Sequence, residues 1–372
     1  MRFIHMSDLH IGKIVNRLSM EEDQEYILGK IIEKTEQLKP DAVVIAGDVY
    51  DKASPSSKAV SMFDDFLFAL SKLGTKIFII SGNHDSAERT AYASRLLSRS
   101  NVFVSPVYNG KIEPITLSDE YGEVNFYLLP FIKPAIVRNL FKNEDIADYN
   151  DTVKTAVAHM NVDTSKRNVL VMHQFLTDAK LSGSEERSIG GSENIDASIV
   201  EMFDYVALGH IHRAQSVSSK NIRYSGAPLK YSFDEVGTQK SICLVELKNK
   251  SEFSYEKIEL EPLRDMRVIR GSFEEIINKT DDKKDDYIKI ILTDESDIPD
   301  AAKKIRAVYP NFMLLSYDNK RTRKISSVKK DERITKMEPI EVIDNIFEEQ
   351  NGKKQSEKQR KLSQELIKEI WG

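Results

Sequence analysis

The sequence predicts an α/β fold made of two packed sheets, followed by a small α/β unit and a pair of terminal helices. Three observations carry this. Over the first hundred residues, apolar runs of strand length alternate with longer helical patterns, an order that builds right-handed crossovers and a parallel sheet. Beyond Asn101 the pattern turns strand-rich, which calls for a second sheet. After Pro262 a fresh strand–helix alternation begins.

In order, Met1–Ser7 reads as a strand and Glu21–Gln37 as a helix with Ile27, Leu28, Ile31 and Ile32 on one side. Asp41–Ala46 is a near-continuous apolar run, as expected of a strand buried on both faces. Helix Ser57–Leu73, strand Lys76–Ser81 and helix Ser86–Ser98 complete the alternation. Strands follow at Asn101–Val104, Lys111–Leu117 and Glu123–Leu129, then helical segments at Ala135–Phe141 and Asp151–Met160, then strand Asn168–Met172. Thr177–Asn194 has glycine, serine and charge without an apolar period, and reads as a surface loop. Strands at Tyr205–Leu208, Ile222–Tyr224, Ser241–Leu247 and Phe253–Leu260 supply the second sheet.

The main domain is expected to span 1–262. Residues 263–318 hold strand Arg267–Arg270, helix Phe273–Lys279, strand Tyr287–Leu292, helix Asp300–Val308 and strand Phe312–Ser316. A unit this small is marginal alone and should lean on its larger neighbour. Residues 319–338 read as a linker, since Lys320–Lys336 carries eight basic and two acidic side chains. It is either solvated or in touch with DNA phosphates. Residues 339–372 hold two helices, Pro339–Glu349 and Gln355–Trp371, joined through Asn351-Gly352. Ile340, Ile343, Ile346 and Phe347 line one, and Leu362, Leu366, Ile367 and Ile370 line the other. With no evident core of its own, this pair either docks back on the chain or grips a partner's helical surface. Helix Ser57–Leu73 has Val60, Met62, Phe63, Phe66, Leu67, Phe68 and Leu70, so much of its girth is apolar. It is either fully buried or carries a subunit contact.

Composition narrows the function. The chain has 372 residues, 40% apolar and 30% charged, which suits two or three domains of an ordinary globular protein. No apolar run reaches the roughly 18–20 residues that cross a bilayer. The first ten residues meet Asp8 and His10 at once, unlike a signal peptide. The one cysteine, Cys243, excludes an internal disulfide and a cysteine zinc cluster, fits a reducing cytoplasm, and reads as a small buried apolar residue. Residues 319–372 sum to +4 and the remaining 318 to −9. A body of that sign does not attract polyanions by its average field. Any nucleic-acid role must come from a local site, bound cations, a tail or a basic partner.

Four short segments concentrate the chemistry: Asp8-Leu9-His10, Gly47-Asp48-Val49-Tyr50-Asp51, Gly82-Asn83-His84-Asp85 and Gly209-His210-Ile211-His212, with His173 between the last two. Five of the seven histidines lie here, and His5 and His159 are left to packing or surface. Each segment follows a predicted strand, and ligands of open α/β sheets bind at the carboxyl ends of strands. Carboxylates, imidazoles and a carboxamide without thiolate suit manganese, iron or zinc. Asp8, His10, Asp48, Asn83, His173, His210 and His212 are too many ligands for one ion. They suit two ions sharing Asp48, at the ~3.5–4 Å separation that clamps a phosphoryl group during in-line displacement.

The order D-x-H, G-D-x-x-D, G-N-H-D, H, G-H-x-H resembles the calcineurin-like metallophosphoesterase superfamily. MRFIHMSDLHIGK, GDVYD, SGNHDS, VLVMHQF and GHIHR, with the looser Tyr224-Ser225-Gly226-Ala227-Pro228, resemble its SbcD-type nucleases over the first 230 or so residues. Leu9 stands where such members commonly have Trp, at a position that is not a ligand. The resemblance implies a two-sheet sandwich with a capping domain at 263–318. It assigns Asp8, His10, Asp48 and His212 to one ion, and Asp48, Asn83, His173 and His210 to the other. It implies that His84 is the catalytic histidine, protonating the leaving oxygen or steadying charge on the phosphate. Asp51 and Asp85 would orient ligands or hold the turn. It further implies manganese, 3′–5′ exonuclease action on duplex ends and endonuclease action on single strands and hairpins. Also implied are a homodimer through the Ser57–Leu73 region, and an SbcC-type ATPase partner bound by the C-terminal helices in DNA repair. Two rivals remain: a phosphoesterase of small esters or cyclic nucleotides, and a non-catalytic DNA-tethering protein.

Overall fold

The computed structural model describes residues 1–183, 185, 194–320, 322, 339–351 and 353–371. Most of the basic linker and much of the Thr177–Asn194 loop therefore lie outside the described residues. The chain forms two compact units, Met1–Ile291 with Asp300–Ser316, and Leu292–Pro299 with Tyr317–Gly372.

The first unit opens with β1 (Arg2–Met6), a short hairpin of β2 (Ile14–Val15) and β3 (Leu18–Ser19), and helix α1 (Glu21–Leu38). There follow β4 (Ala42–Ala46), α2 (Ser57–Lys72), β5 (Lys76–Ile80), the short helices α3 (Ala87–Thr90) and α4 (Ser94–Leu97), and β6 (Val102–Val104). The chain then runs through β7 (Ile115–Asp119), β8 (Gly122–Leu129), α5 (Pro134–Leu140), α6 (Tyr149–Ala158), β9 (Arg167–His173) and β10 (Tyr205–Gly209). β11 (Gln215–Val217), β12 (Ser219–Tyr224), β13 (Ser241–Leu247) and β14 (Phe253–Glu259) complete the two large sheets.

Their strand orders are β14-β13-β1-β4-β5-β6 and β11-β12-β10-β9-β8-β7. The central strands β1, β4, β5 and β6 are parallel, as are β8, β9, β10 and β12. Antiparallel β13 and β14 extend the first sheet beyond β1, leaving parallel β6 as its other edge, and antiparallel β11 and β7 form the two edges of the second. The sheets pack face to face through Phe3, Val44, Phe78, Phe126, Val171 and Tyr205, all buried. Phe78 stacks on Phe126 across the interface at 4.5 Å between centroids. The helices α1 and α2 cover the outer face of the first sheet through Ile27, Ile31, Phe63 and Phe66. Val153 and Val157 of α6 and Val137 of α5 cover the second. Each such side chain contributes about 1.5–3 kcal/mol on burial, so the expected two-sheet α/β sandwich stands on three apolar interfaces between four layers.

After Pro262 come β15 (Met266–Gly271), α7 (Phe273–Asn278), β16 (Tyr287–Leu292), α8 (Ala301–Val308) and β17 (Phe312–Tyr317), in a three-stranded sheet of order β15-β16-β17. A capping box of Ser272 and Glu275 starts α7. Arg264 and Tyr287 reach α1, where the Tyr287 hydroxyl donates to Asp23 at 2.6 Å. In the second unit, helices Pro339–Asn351 and Glu357–Trp371 match the expected pair, and Arg360 pairs with Asp344 at 2.8 Å.

Two readings need correction, and one of the two alternatives for α2 drops out. The expected helix Ser86–Ser98 is broken into α3 and α4 at Ala93, whose φ of 58° is left-handed. The strand placed at Lys111–Leu117 begins only at Ile115, because Pro114 has no N–H to give a ladder. Helix α2 is not fully buried: Val60 and Phe68 are 45% and 59% exposed. No described helix is long and apolar enough to cross a membrane.

Candidate metal centre

Five parallel strands aim their carboxyl ends at one edge of the sandwich. β1 delivers Asp8 and His10, β4 delivers Asp48, β5 delivers Asn83, His84 and Asp85, β9 ends on His173, and β10 leads into His210 and His212. Sheet register carries over into the loops. The Asp8 N–H donates to the Gly47 carbonyl at 3.1 Å and the His10 N–H to that of Asp48 at 3.0 Å, while His173 sits opposite Gly209. Asp8, His10, Asp48 and His210 have φ of 55°, 45°, 50° and 98°. Left-handed backbone costs a non-glycine residue about 1–2 kcal/mol, and such strain collects where geometry serves a site. Glycine is required where the loops touch. A Cβ on Gly82 would lie 2.1 Å from Asp48 Oδ1, and one on Gly209 would lie 1.9 Å from the Ala46 carbonyl.

All seven expected ligands converge. Asp8, His10, Asp48, His173, His210 and His212 are buried, and Asn83 is half-buried. His173 Nδ1 donates to the Ala46 carbonyl at 2.7 Å, which turns its Nε2 towards Asp48 Oδ2 at 3.2 Å and Asn83 Oδ1 at 3.1 Å. Asn83 Oδ1 also lies 3.0 Å from His210 Nδ1. His10 Nε2 lies 3.0 Å from His212 Nε2 and 3.6 Å from Asp48 Oδ2. Ligand atoms of Asp8, His10 and His212 fall within 4.8 Å of one another, as do those of Asp8, Asp48 and His173. The groups share Asp8, and Asp48 Oδ2 reaches both, close to His173 Nε2 in the second and His10 Nε2 in the first. The half-buried rings of Phe131 and Phe175 flank His173 and His210, each at 6.4 Å.

Burial sets the electrostatics. It pushes Asp8 up to about 7, with the Asp48 charge adding and His173 opposing. It also disfavours charge on Asp48 and His173, but their mutual attraction outweighs it. Asp48 is held well below the usual carboxylate range and His173 is raised to about 9. Burial lowers His210 to about 4 and holds His10 and His212 well below the ordinary histidine value, Lys240 assisting at His212. Two neutral imidazoles thus meet nitrogen to nitrogen, and His10 Nδ1 is buried with no hydrogen-bond partner among the described residues. Such a convergence of imidazole nitrogens and carboxylate oxygens fits a divalent cation, and the all-nitrogen-and-oxygen donor set suits manganese, iron or zinc.

His84 is half-buried at the rim. Its N–H donates to Asp48 Oδ1 at 2.9 Å and its Nδ1 lies 3.1 Å from the Asp51 carbonyl. A carbonyl only accepts, so Nδ1 carries hydrogen and Nε2 is left for other work. His84 also falls within ligand range of His10 and Asp48, so proximity alone does not set it apart from the ligands. Asp51 accepts from Lys13 Nζ at 2.7 Å and lies 3.7 Å from His10 Nδ1. Asp85 accepts from the N–H groups of Val49, Tyr50 and Gly82 at 3.1, 2.9 and 2.8 Å, tying the β4 and β5 loops together. Outside the site, His5 bonds Tyr205 and Leu208 in the core, His159 lies at the surface, and Cys243 is buried.

Sequence reasoning missed several supports. Gln24 Nε2 donates to the His10 carbonyl at 2.7 Å while its Oε1 accepts from Gly12 N–H at 2.9 Å. Its signal was a polar residue on the apolar stripe of α1, one turn before Ile27 and Leu28. Glu185 accepts from the His212 N–H at 2.8 Å, and Ser7 donates to Asp8 Oδ2 at 2.5 Å. Neither carries a spacing signal.

Residues 1–214 match the calcineurin-like phosphoesterase family, and residues 262–351 match the type 5 capsule protein repressor C-terminal domain family. The SbcD component of the SbcCD nuclease of Staphylococcus epidermidis is 35% identical over 322 residues, 85% of each chain. That of Staphylococcus saprophyticus is 33% identical over 380 residues, 99% of each chain. A solved dimetal phosphatase from Danio rerio, 12% identical, covers 70% of this chain and 98% of its own with a TM-score of 0.45. Fold and family together define a metal-dependent phosphodiesterase. Within that class, the chain belongs to the SbcD nuclease family of calcineurin-like phosphoesterases.

Proposed function

We propose that the protein is a manganese-dependent DNA nuclease that hydrolyses phosphodiester bonds at a two-ion centre. Asp8, His10, Asp48 and His212 would hold one ion, and Asp48, Asn83, His173 and His210 the other. The observation that carries this reading is the meeting of buried carboxylates and imidazoles around Asp48, beside a histidine whose Nε2 is left open. When bound, the ions supply an activated water and screen the charge of the phosphate.

The remaining work falls to side chains. The Asp51 carbonyl fixes the tautomer of His84, so its imidazolium form presents Nε2–H to the departing oxygen. Giving up that proton as the P–O bond breaks keeps an alkoxide from forming. Asp85 keeps the β4 and β5 loops in step, and Asp51 with Lys13 braces His10 from behind. This reading includes exonuclease action from 3′ to 5′ on duplex ends, and endonuclease action on single strands and hairpins. Residues 1–262 form the nuclease domain, and 263–318 cap it and shape DNA access. Residues 319–338 are the linker. Residues 339–372 attach to an SbcC-type ATPase, a partner supported by the relatives' name as one component of an SbcCD nuclease. Exposed Val60 and Phe68 on α2 support a homodimer. The cytoplasm is the expected compartment, since DNA is the substrate.

With manganese, the purified protein is expected to degrade linear duplex DNA. His84→Ala should lower cleavage by about 10²–10⁴-fold with two manganese ions still bound by calorimetry. Loss of the ions in that variant would make His84 a ligand instead. Turnover of a small chromogenic ester without any cleavage of DNA would favour the small-ester rival.

A further inference from the structure

His10 and His212 come from opposite sheets, yet their Nε2 atoms meet at 3.0 Å. One stretch of chain touches the loops of both. Tyr231 is buried, and its hydroxyl donates to the Leu9 carbonyl at 2.6 Å, next to His10. The Tyr231 N–H donates to Glu235 Oε1 at 3.2 Å. Glu235 Oε2 pairs with Lys240 Nζ, and the same ammonium donates to the His212 carbonyl at 2.9 Å. The side chains of Lys240 and Glu235 are only 8% and 1% exposed.

A buried ion pair is weak evidence for stability, because desolvation offsets the attraction and apolar replacements of similar size are often neutral or better. Its bonds here run to the two ligand loops, which points to placement instead. We propose that the Glu235–Lys240 ion pair is a positioning device for the metal centre, setting His212 through its carbonyl and the Asp8–His10 loop through Tyr231. Both act through others, Lys240 through the His212 carbonyl and Glu235 through the Tyr231 N–H. The inference rests on the two-ion reading above and deepens it, by naming which of the two ions depends on the pair. The bonds described here brace the group containing His10 and His212. His173 is set by the Ala46 carbonyl.

The decisive variant removes both charges together, Glu235→Gln with Lys240→Met, so that neither member of the pair is left buried without the other. Manganese titration of the full chain by calorimetry, with thermal unfolding in chelator, gives two readouts independent of turnover. One of the two ions should bind about 10–100-fold more weakly, the scale for lost ligand support. The other should stay within about threefold, with little change in metal-free stability. Tyr231→Phe, which keeps the ring and drops the hydroxyl, should weaken the same ion, and Lys240→Arg alone should keep most of the affinity. Tyr231→Phe decides the matter if the double variant does not fold. The proposal is overturned if both ions bind as in the wild type, or if both weaken in step with metal-free stability. A wild-type chain that takes up no manganese sinks the two-ion reading as well, which separates the two failures.

Discussion

Asp8 and His173 hold protons that a cation must displace. In the metal-free protein Asp8 is raised to about 7, chiefly by burial, and His173 is raised to about 9, because Asp48 outweighs burial. Ligands bind metal in their deprotonated forms, so protons compete with the ion. The sign follows: affinity for manganese should climb between about pH 6 and about pH 9, with protons released on binding. Calorimetry in buffers of differing ionisation enthalpy measures that release. A proton count of zero at neutral pH would mean that the site is already deprotonated. His10, His210 and His212 add nothing to this slope, since burial keeps them neutral throughout the range.

At the scale of elements, α2 has the most to explain. Phe63, Phe66 and Leu70 are buried against the first sheet, while Phe68 and Val60 stay exposed, with the Lys72 ammonium 4.0 Å from the Phe68 ring centroid. If this face joins two copies, Phe68→Glu should turn dimers into monomers in sedimentation velocity, with the fold intact by circular dichroism. An unchanged sedimentation coefficient would remove that contact. The strands and their ends were legible in the sequence because each ligand segment follows an apolar run such as Asp41–Ala46 or Asn168–Met172. The break between α3 and α4 was not, since Ala93 takes left-handed backbone without a glycine or asparagine to signal it. The hairpin of β2 and β3 is too short to carry a period. Gln24, Tyr231 and Lys240 stayed hidden for another reason: their partners are backbone carbonyls of Leu9, His10 and His212, and no side-chain pattern marks a carbonyl.

For the whole molecule, the end of the sandwich opposite the ligands is closed by Arg167. Its guanidinium binds Asp119 Oδ1 at 2.5 Å, the Gly122 carbonyl at 2.7 Å and, across to the other sheet, the Lys248 carbonyl at 2.7 Å. Burial pushes Asp119 up, but its bonds, that to Arg167 first, hold it well below the usual carboxylate range. A depressed carboxylate contributes stability above its ordinary pKa, and that stability is lost as pH falls through the folded value. The Met1 ammonium still pairs with Asp119, so Arg167→Met should cost about 1.5–3 kcal/mol at neutral pH and flatten the acid limb of the stability curve in urea titrations. An unaltered midpoint would show that the two sheets do not depend on this clasp. Truncation after Asn319 should leave metal-dependent cleavage intact and abolish co-purification with the ATPase, and continued co-purification would place the attachment elsewhere. The centre itself draws on both sheets, with Asp8 and Asp48 from one and His173, His210 and His212 from the other. No half-assembled sandwich can offer such a coordination sphere. Cation uptake is thus a certificate of completed assembly, and its free energy adds to native stability by mass action. Starving the protein of metal should lower its melting temperature as a single cooperative block instead of loosening one corner of it.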